Sequence, residues 1–256
     1  MRSFLVALAF LTIVPVRFRT MPDAATVARS RFWYPVVAAL LGGALGGWTA
    51  LLALWGRPPL VSAFLILLAW VILTGTLHLD GFCDLCDGLF GGHTPEDRLR
   101  IMKDPHVGTF GLAGGVLLLL GKFVLLSEVV RRSDGPWVVG GAVVVARCLA
   151  LCMAAMSRYP RPEGTGKALI DAARPWEAGL FLALAGAAMV AVQFGTCQPG
   201  SWIWPLPALA GVSLLIWVCH RRLGGVTGDC LGAAIEAAEM LFLFGAVAAV
   251  PREGLR

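Results

Sequence analysis

The sequence predicts an all-α protein, a polytopic integral membrane bundle of about six to seven spans with a short interfacial or re-entrant segment ahead of the first. Of its 256 residues, 58% are apolar and only 14% are charged, whereas a soluble domain carries about 25% charged residues. The mean hydropathy is +0.78. Apolar runs recur at the ~20 residues that a helix needs to cross about 30 Å of hydrocarbon. The connections between them are short, so residues 1–256 read as a single membrane-embedded domain.

The first apolar run, Phe4 to Val16, is too short to span, and Pro15, Arg17 and Arg19 close it. It is expected to lie at the interface or to re-enter. A secretory signal is the competing reading, but no small-residue cleavage site follows and the next segment is already a span. Spans are expected over 33–55, 60–79, 108–130, 137–157, 177–195, 202–220 and 230–250. The Pro-rich region from Gln198 to Pro207 reads as a tight turn between two of them.

A net charge of +5 raises the question of nucleic acid, but the 21 Lys and Arg are scattered through short connections rather than gathered in a patch. That distribution reads as topology information, because cytoplasmic connections are enriched in Lys and Arg. With residues 17–32 on the cytoplasmic side, seven spans place 13 Lys and Arg inside and five outside, the five including Arg57, Arg131, Arg132, Arg252 and Arg256. All the longer connections, 80–107, 158–176 and 220–229, then share the cytoplasmic face. The seven Cys imply no disulfide framework; Cys148, Cys152, Cys219 and Cys230 sit in or beside apolar runs, and the lone Cys83-x-x-Cys86 lacks a second ligand pair at zinc spacing.

The stretch most able to carry chemistry runs from His78 to Gly111. It holds Asp80, Asp84, Asp87, Asp97 and Asp104 together with Gly81, Gly88, Gly91 and Gly92, in an otherwise charge-poor chain. If the span continues as helix, Asp80, Asp84 and Asp87 fall at i, i+4 and i+7 on one face. Carboxylates so placed repel one another, and a hard divalent cation such as Mg2+ or Mn2+ relieves that repulsion. Thr94 and Pro95 read as the N-cap and first residue of a short helix carrying Arg98, Arg100 and Lys103 towards the same site, where cations hold phosphate oxygens. A solvated loop is the competing reading. It suits a lone Asp and does not suit five of them.

Charges inside spans are costly, by roughly 2.5 to 3.5 kcal/mol each, so Arg147, Glu236 and Glu239 are functional candidates, with an Arg-to-Glu pair between spans as the structural alternative. Lys122 also lies in a span with nothing nearby to mark it. His78, His106 and His220 are expected at interfaces. The basic, Gly-containing connection Arg158 to Lys167 offers Gly164 and Gly166 backbone donors to a phosphate, although it does not match a P-loop.

The run His78-Leu-Asp-Gly, followed by Asp84-x-x-Asp87-Gly and Met102-Lys-Asp104-x-x-x-Gly-Thr-Phe-Gly111, resembles cobalamin synthase, the adenosylcobinamide-GDP ribazoletransferase family. The resemblance extends through Phe10-Leu-Thr, Arg147, the 158–167 loop and Thr227-Gly-Asp-Cys-Leu-Gly-Ala-Ala-Ile-Glu236. It implies a membrane enzyme with Mg2+ as cofactor. A ribose hydroxyl of alpha-ribazole, or of its 5'-phosphate, attacks the cobinamide-bound phosphorus of adenosylcobinamide-GDP and releases GMP. On this reading His78, Asp80, Asp84, Asp87, Lys103 and Asp104 are catalytic, and the four Asp are the metal ligands or general base. Lys103, Arg147 and Arg158 contact phosphate with Gly164 and Gly166, and Asp229, Glu236 and Glu239 form a second acidic wall. The site faces the cytoplasm from an inner membrane. The partners are the two substrates and the lipid bilayer, without nucleic acid; a second copy of the chain or other corrinoid-pathway membrane proteins complete the expectation. Two other readings remain. A CDP-alcohol phosphotransferase shares Asp84-x-x-Asp87-Gly, but lacks the following Ala-Arg, where Gly91 and Gly92 stand, and the later Asp pair. A secondary transporter uses Arg147, Glu236 and Glu239 as a relay.

Overall fold

In the computed structural model, which describes residues 1–198 and 200–249, the chain is built from helices and short connections, with no strand among the described residues. The order is α1 (Arg2–Leu11), α2 (Ala24–Ser30), α3 (Tyr34–Leu54), α4 (Pro59–Thr74), α5 (Leu77–Gly91), α6 (Pro95–Ile101), α7 (Thr109–Val129), α8 (Gly135–Ala155), α9 (Lys167–Ala172), α10 (Pro175–Thr196), α11 (Leu206–Leu223) and α12 (Gly228–Ala248). Proline occupies the first turn of α3, α4, α6, α8, α10 and α11. Its missing N–H is an orphan donor there in any case, and its fixed φ already suits the helix.

Six helices are long and apolar enough to cross a membrane: α2 running into α3, α7, α8, α10, α11 with the short turn before it, and α12. They match the expected spans to within a few residues; residue 250 of the last expected span, Arg252 and Arg256 lie outside the described residues, as does Pro199 of the expected turn. The span expected over 60–79 is different. Helix α4 stops at Thr74, Gly75 (φ 63°) and Thr76 (φ 59°) both take the left-handed conformation, and α5 leaves at 89° to α4. Glycine enters that conformation at little cost, which is how an apolar run that looks continuous can fold into two helices. Helix α1 has 10 residues and is too short to span.

Helix α8 is the axis of the bundle, 89% buried over its apolar window, and α12 follows at 67%, whereas α7, α10 and α11 bury only 22 to 28% and turn most of their surface outward. Helices α3 and α8 touch through their backbones. A Cβ added at Gly42 or Gly46 would stand 2.8 Å from the carbonyl oxygen of Gly140 or Pro136.

Within this apolar interior four charges neutralise one another. Lys122 on α7 donates to Glu236 and Glu239 on α12, Arg147 on α8 donates to Glu239, and Trp70 on α4 gives its indole N–H to Glu239 at 3.1 Å. Two cations and two carboxylates thus leave no net charge in the core and tie four helices together. A second buried pair, Arg31 with Glu177 at 2.6 and 2.7 Å, joins the end of α2 to the start of α10.

The longer connections meet at one end of the bundle. Arg161 donates to the Leu99 carbonyl (2.9 Å), Arg98 to that of Arg222 (3.3 Å) and Arg158 to that of Gly224 (2.9 Å), so the segments after α5, α8 and α11 brace one another.

Candidate active site

At that same end Asp80, Asp84 and Asp87 stand at i, i+4 and i+7 of α5, but they face different surroundings. Asp80 is exposed and Asp84 half-buried. Asp87 is buried, and its carboxylate accepts the backbone N–H of Gly108 and of Gly111, each at 2.8 Å. It caps the start of α7, where the first N–H groups have no partner within the helix. Both glycines are needed there, since a Cβ on either would overlap the carboxylate. The expected open ligand at Asp87 is therefore an anchor between two helices.

Asp229 comes to Asp80 and Asp84 from the first turn of α12. Helices α5 and α12 cross at van der Waals distance: a Cβ on Gly81 would lie 2.8 Å from the Asp229 carbonyl oxygen, and one on Gly232 would lie 3.1 Å from the Cα of His78. The crossing brings Asp80 and Asp229 close enough for their charges to act on Asp84.

Opposite the acids, the 158–167 connection folds onto the start of α12. Gly166 permits this, because its Cβ would stand 2.9 Å from the Gly228 backbone, and Gly164 (φ 154°) leaves room for the Tyr159 hydroxyl. Arg161 places Nη1 3.5 Å from Asp229 Oδ2, while its Nε is buried without a partner. Sequence reasoning counted Arg161 only as one charge among several; its place between Pro160 and Pro162, which stiffen the backbone, was the available signal. Lys103, Tyr159, Arg161, Thr165 and Asp229 line a polar cleft of about 400 Å³. Arg158 itself points away, bonded to Gly224.

Other expected members lie elsewhere. Asp104 is exposed and bonds within its own loop to the backbone N–H (2.9 Å) and ring (2.7 Å) of His106, contacts that hold its carboxyl below the usual carboxylate range. Arg147, Glu236 and Glu239 belong to the buried charge cluster and do not face the cleft, because Lys122, which the sequence left unmarked, supplies the second cation. His78, expected at an interface, is 5% exposed and its Nδ1 has no partner. Cys83 and Cys86 are unpaired thiols packed against Gly115 and Gly114 of α7.

Among the described residues no three His, Cys, Asp or Glu side chains are gathered closely enough to coordinate one ion. The donor set nevertheless suits Mg2+, which protein sites commonly hold through one or two carboxylates while water and substrate phosphates fill the remaining positions. Asp80 and Asp84, one helical turn apart, supply two carboxylates of that kind.

Residues 3–247 match the family described as CobS, cobalamin-5-phosphate synthase. The chain is 38% identical over 246 residues to the adenosylcobinamide-GDP ribazoletransferase of Chlorobium phaeobacteroides (strain BS1), covering 94% of this chain and 95% of that one. It is 39% identical over 249 residues to the enzyme of the same name from Pseudomonas entomophila (strain L48), covering 96% and 98%. With Desulfitobacterium hafniense (strain Y51) the identity is 38% over 258 residues, covering 96% of each. No solved structure matches the chain. A match that spans nearly the whole length, joined to a helical membrane bundle with a polar cleft at one end, places this chain in the cobalamin-5-phosphate synthase family.

Proposed function

We propose that the chain is an adenosylcobinamide-GDP ribazoletransferase, joining the cobinamide-phosphate group to alpha-ribazole or its 5'-phosphate with release of GMP. The observation that carries this reading to particular residues is the approach of Asp80, Asp229 and Arg161 to Asp84 at the α5–α12 crossing, beside a cleft lined by Lys103, Arg161 and Asp229. In the reaction the ribose hydroxyl oxygen forms a bond to the cobinamide-bound phosphorus, and the bond from that phosphorus to the oxygen leading to GMP breaks. The hydroxyl proton passes to a carboxylate of the cleft, and GMP leaves with the bridging oxygen.

Phosphoryl transfer of this kind depends mainly on positioning and charge neutralisation. Lys103 and Arg161 supply cations for the diphosphate oxygens, and the Gly164 to Gly166 backbone follows the same wall. Asp80 and Asp84 are the residues that would hold Mg2+, and when bound the ion neutralises charge on the transferred phosphoryl group. Asp229 is held by Arg161 within reach of the same space. The 13-to-5 distribution of cations supports an inner-membrane protein with this cleft on the cytoplasmic side.

The test is GMP release from adenosylcobinamide-GDP and alpha-ribazole by detergent-purified protein, with Mg2+ and with a chelator, and with Asp84→Ala alongside. Release that needs Mg2+ and is lost in the variant is the expected result. Chelator-resistant release removes the metal assignment, and undiminished release by Asp84→Ala removes the acidic site.

A further inference from the structure

Arg158, a phosphate contact by its sequence, is not used by the cleft. Its Nε bonds the Gly224 carbonyl at 2.9 Å, and its own carbonyl accepts the backbone N–H of Val226 at 2.9 Å. Gly225 allows this approach, since a Cβ there would stand 2.3 Å from the Arg158 carbonyl oxygen. One residue earlier, the Ser157 hydroxyl meets the His220 ring at 3.1 Å. The segment leaving α8 is thus laid against the last turn of α11, which carries Arg221 and Arg222. All three arginines are exposed. Among the described residues none of them meets a carboxylate, and Asp229, the next acid along the chain from Arg222, is bridged to Arg161. The one donor that they spend on the protein, among the described residues, is the Nε of Arg158. Cations at the end of a span suit the helix dipole and mark the side of the membrane. Neither role needs an arginine from another connection held beside them.

We propose that Arg158, Arg221 and Arg222 hold the headgroup phosphate of an anionic phospholipid. The site is independent of the transferase reading. Guanidinium groups bind phosphate oxygens through paired hydrogen bonds and are less strongly hydrated than ammonium groups. The surface beside the arginines selects a lipid over a free phosphate. Leu214, Trp217 and Arg221 stand at i, i+3 and i+7 on one stripe of α11, and Leu214 and Trp217 are 60% and 56% exposed. The apolar window of α11 buries only 22% of its residues, so this stripe meets hydrocarbon. Tryptophan gathers at headgroup level in a span, and the Arg221 guanidinium lies over the Trp217 ring, 5.5 Å from its centre. The stripe therefore passes from acyl-chain depth to headgroup depth where the three charges gather. A lipid whose phosphate is not offset by an amine of its own complements them.

Native mass spectrometry of the full-length protein in detergent tests this, with phosphatidylglycerol and phosphatidylcholine of equal chain length titrated in turn and glycerol phosphate as the free anion. Wild-type protein is expected to bind phosphatidylglycerol at least about fivefold more tightly than phosphatidylcholine, without competition from glycerol phosphate. Arg158→Gln is expected to reduce that preference and the double variant Arg221→Gln, Arg222→Gln to abolish it, while Arg158→Lys keeps part of it. A control that removes two exposed cations from the other end of the bundle, Arg57→Gln with Arg131→Gln, is expected to keep it. If the double variant does not stay monodisperse, Arg158→Gln and Arg158→Lys carry the test. The proposal is overturned if wild-type protein shows no headgroup preference, if the preference survives the Arg→Gln variants at the site, or if the control loses it equally. Competition by glycerol phosphate at equal concentration assigns the arginines to a free anion and overturns the lipid. No turnover is read, so failure here leaves the transferase reading untouched.

Discussion

Three aspartates on one helix face look equivalent by spacing, yet their surroundings assign them different tasks. Asp84 stands beside Asp80, Asp229 and Arg161 without a backbone partner, so Asp84→Ala is expected to reduce GMP release on the order of 100-fold, as removal of one group that stabilises transition-state charge commonly does, with little change in thermal unfolding. Asp87 caps α7, so Asp87→Ala leaves two N–H groups unpaired and is expected to cost about 1–3 kcal/mol, seen as an earlier melt in detergent. A melt unchanged by Asp87→Ala contradicts the capping role. Spacing shows which carboxylates share a face; it cannot show that Gly108 and Gly111, more than twenty residues away, occupy one of them. The pairing of Arg161 was hidden for the same reason, because its partner Asp229 lies on another helix.

Among the elements, the expected spans were legible because apolar length is a local property, and α3, α7, α8, α10 and α12 follow it closely. The break between α4 and α5 was hidden inside an apolar run, where only two left-handed residues mark it. Pairing between spans was also hidden: Lys122, Arg147, Glu236 and Glu239 belong together only once α7, α8 and α12 are packed. Arg147→Met leaves carboxylate charge in the core with one cation fewer and is expected to destabilise by about 3–5 kcal/mol, read as loss of monodisperse protein or a lowered melting temperature. The α5–α12 crossing makes a different prediction. Gly81→Ala drives a methyl group against the Asp229 backbone, so the helices must separate and GMP release must fall although no charged group has been removed. Wild-type turnover in that variant contradicts the close crossing.

For the whole molecule, the connections after α5, α8 and α11 form one end, while the connection after α10 lies across the bundle from them. That second connection carries Cys197, an exposed native thiol. With the cleft on the cytoplasmic side, a membrane-impermeant maleimide added outside intact spheroplasts is expected to label Cys197, and Cys197→Ser to abolish that label. Protection of Cys197 in spheroplasts with labelling in inverted vesicles reverses the orientation. Charge distribution is what leads to this expected orientation, since it counts residues loop by loop and needs no knowledge of packing.

The right-angle turn at Gly75 and Thr76 also sets the depth of the chemistry. Along a helix continuing straight down from α4, the seven residues from Asp80 to Asp87 would descend about 10 Å. With α5 at 89° to α4 they stay at nearly one level across the end of that helix. Asp80 and Asp84 therefore form a shelf rather than a shaft. Phosphates can be met along that level without being drawn inward, and lengthening α4 would raise or lower the whole row as one unit.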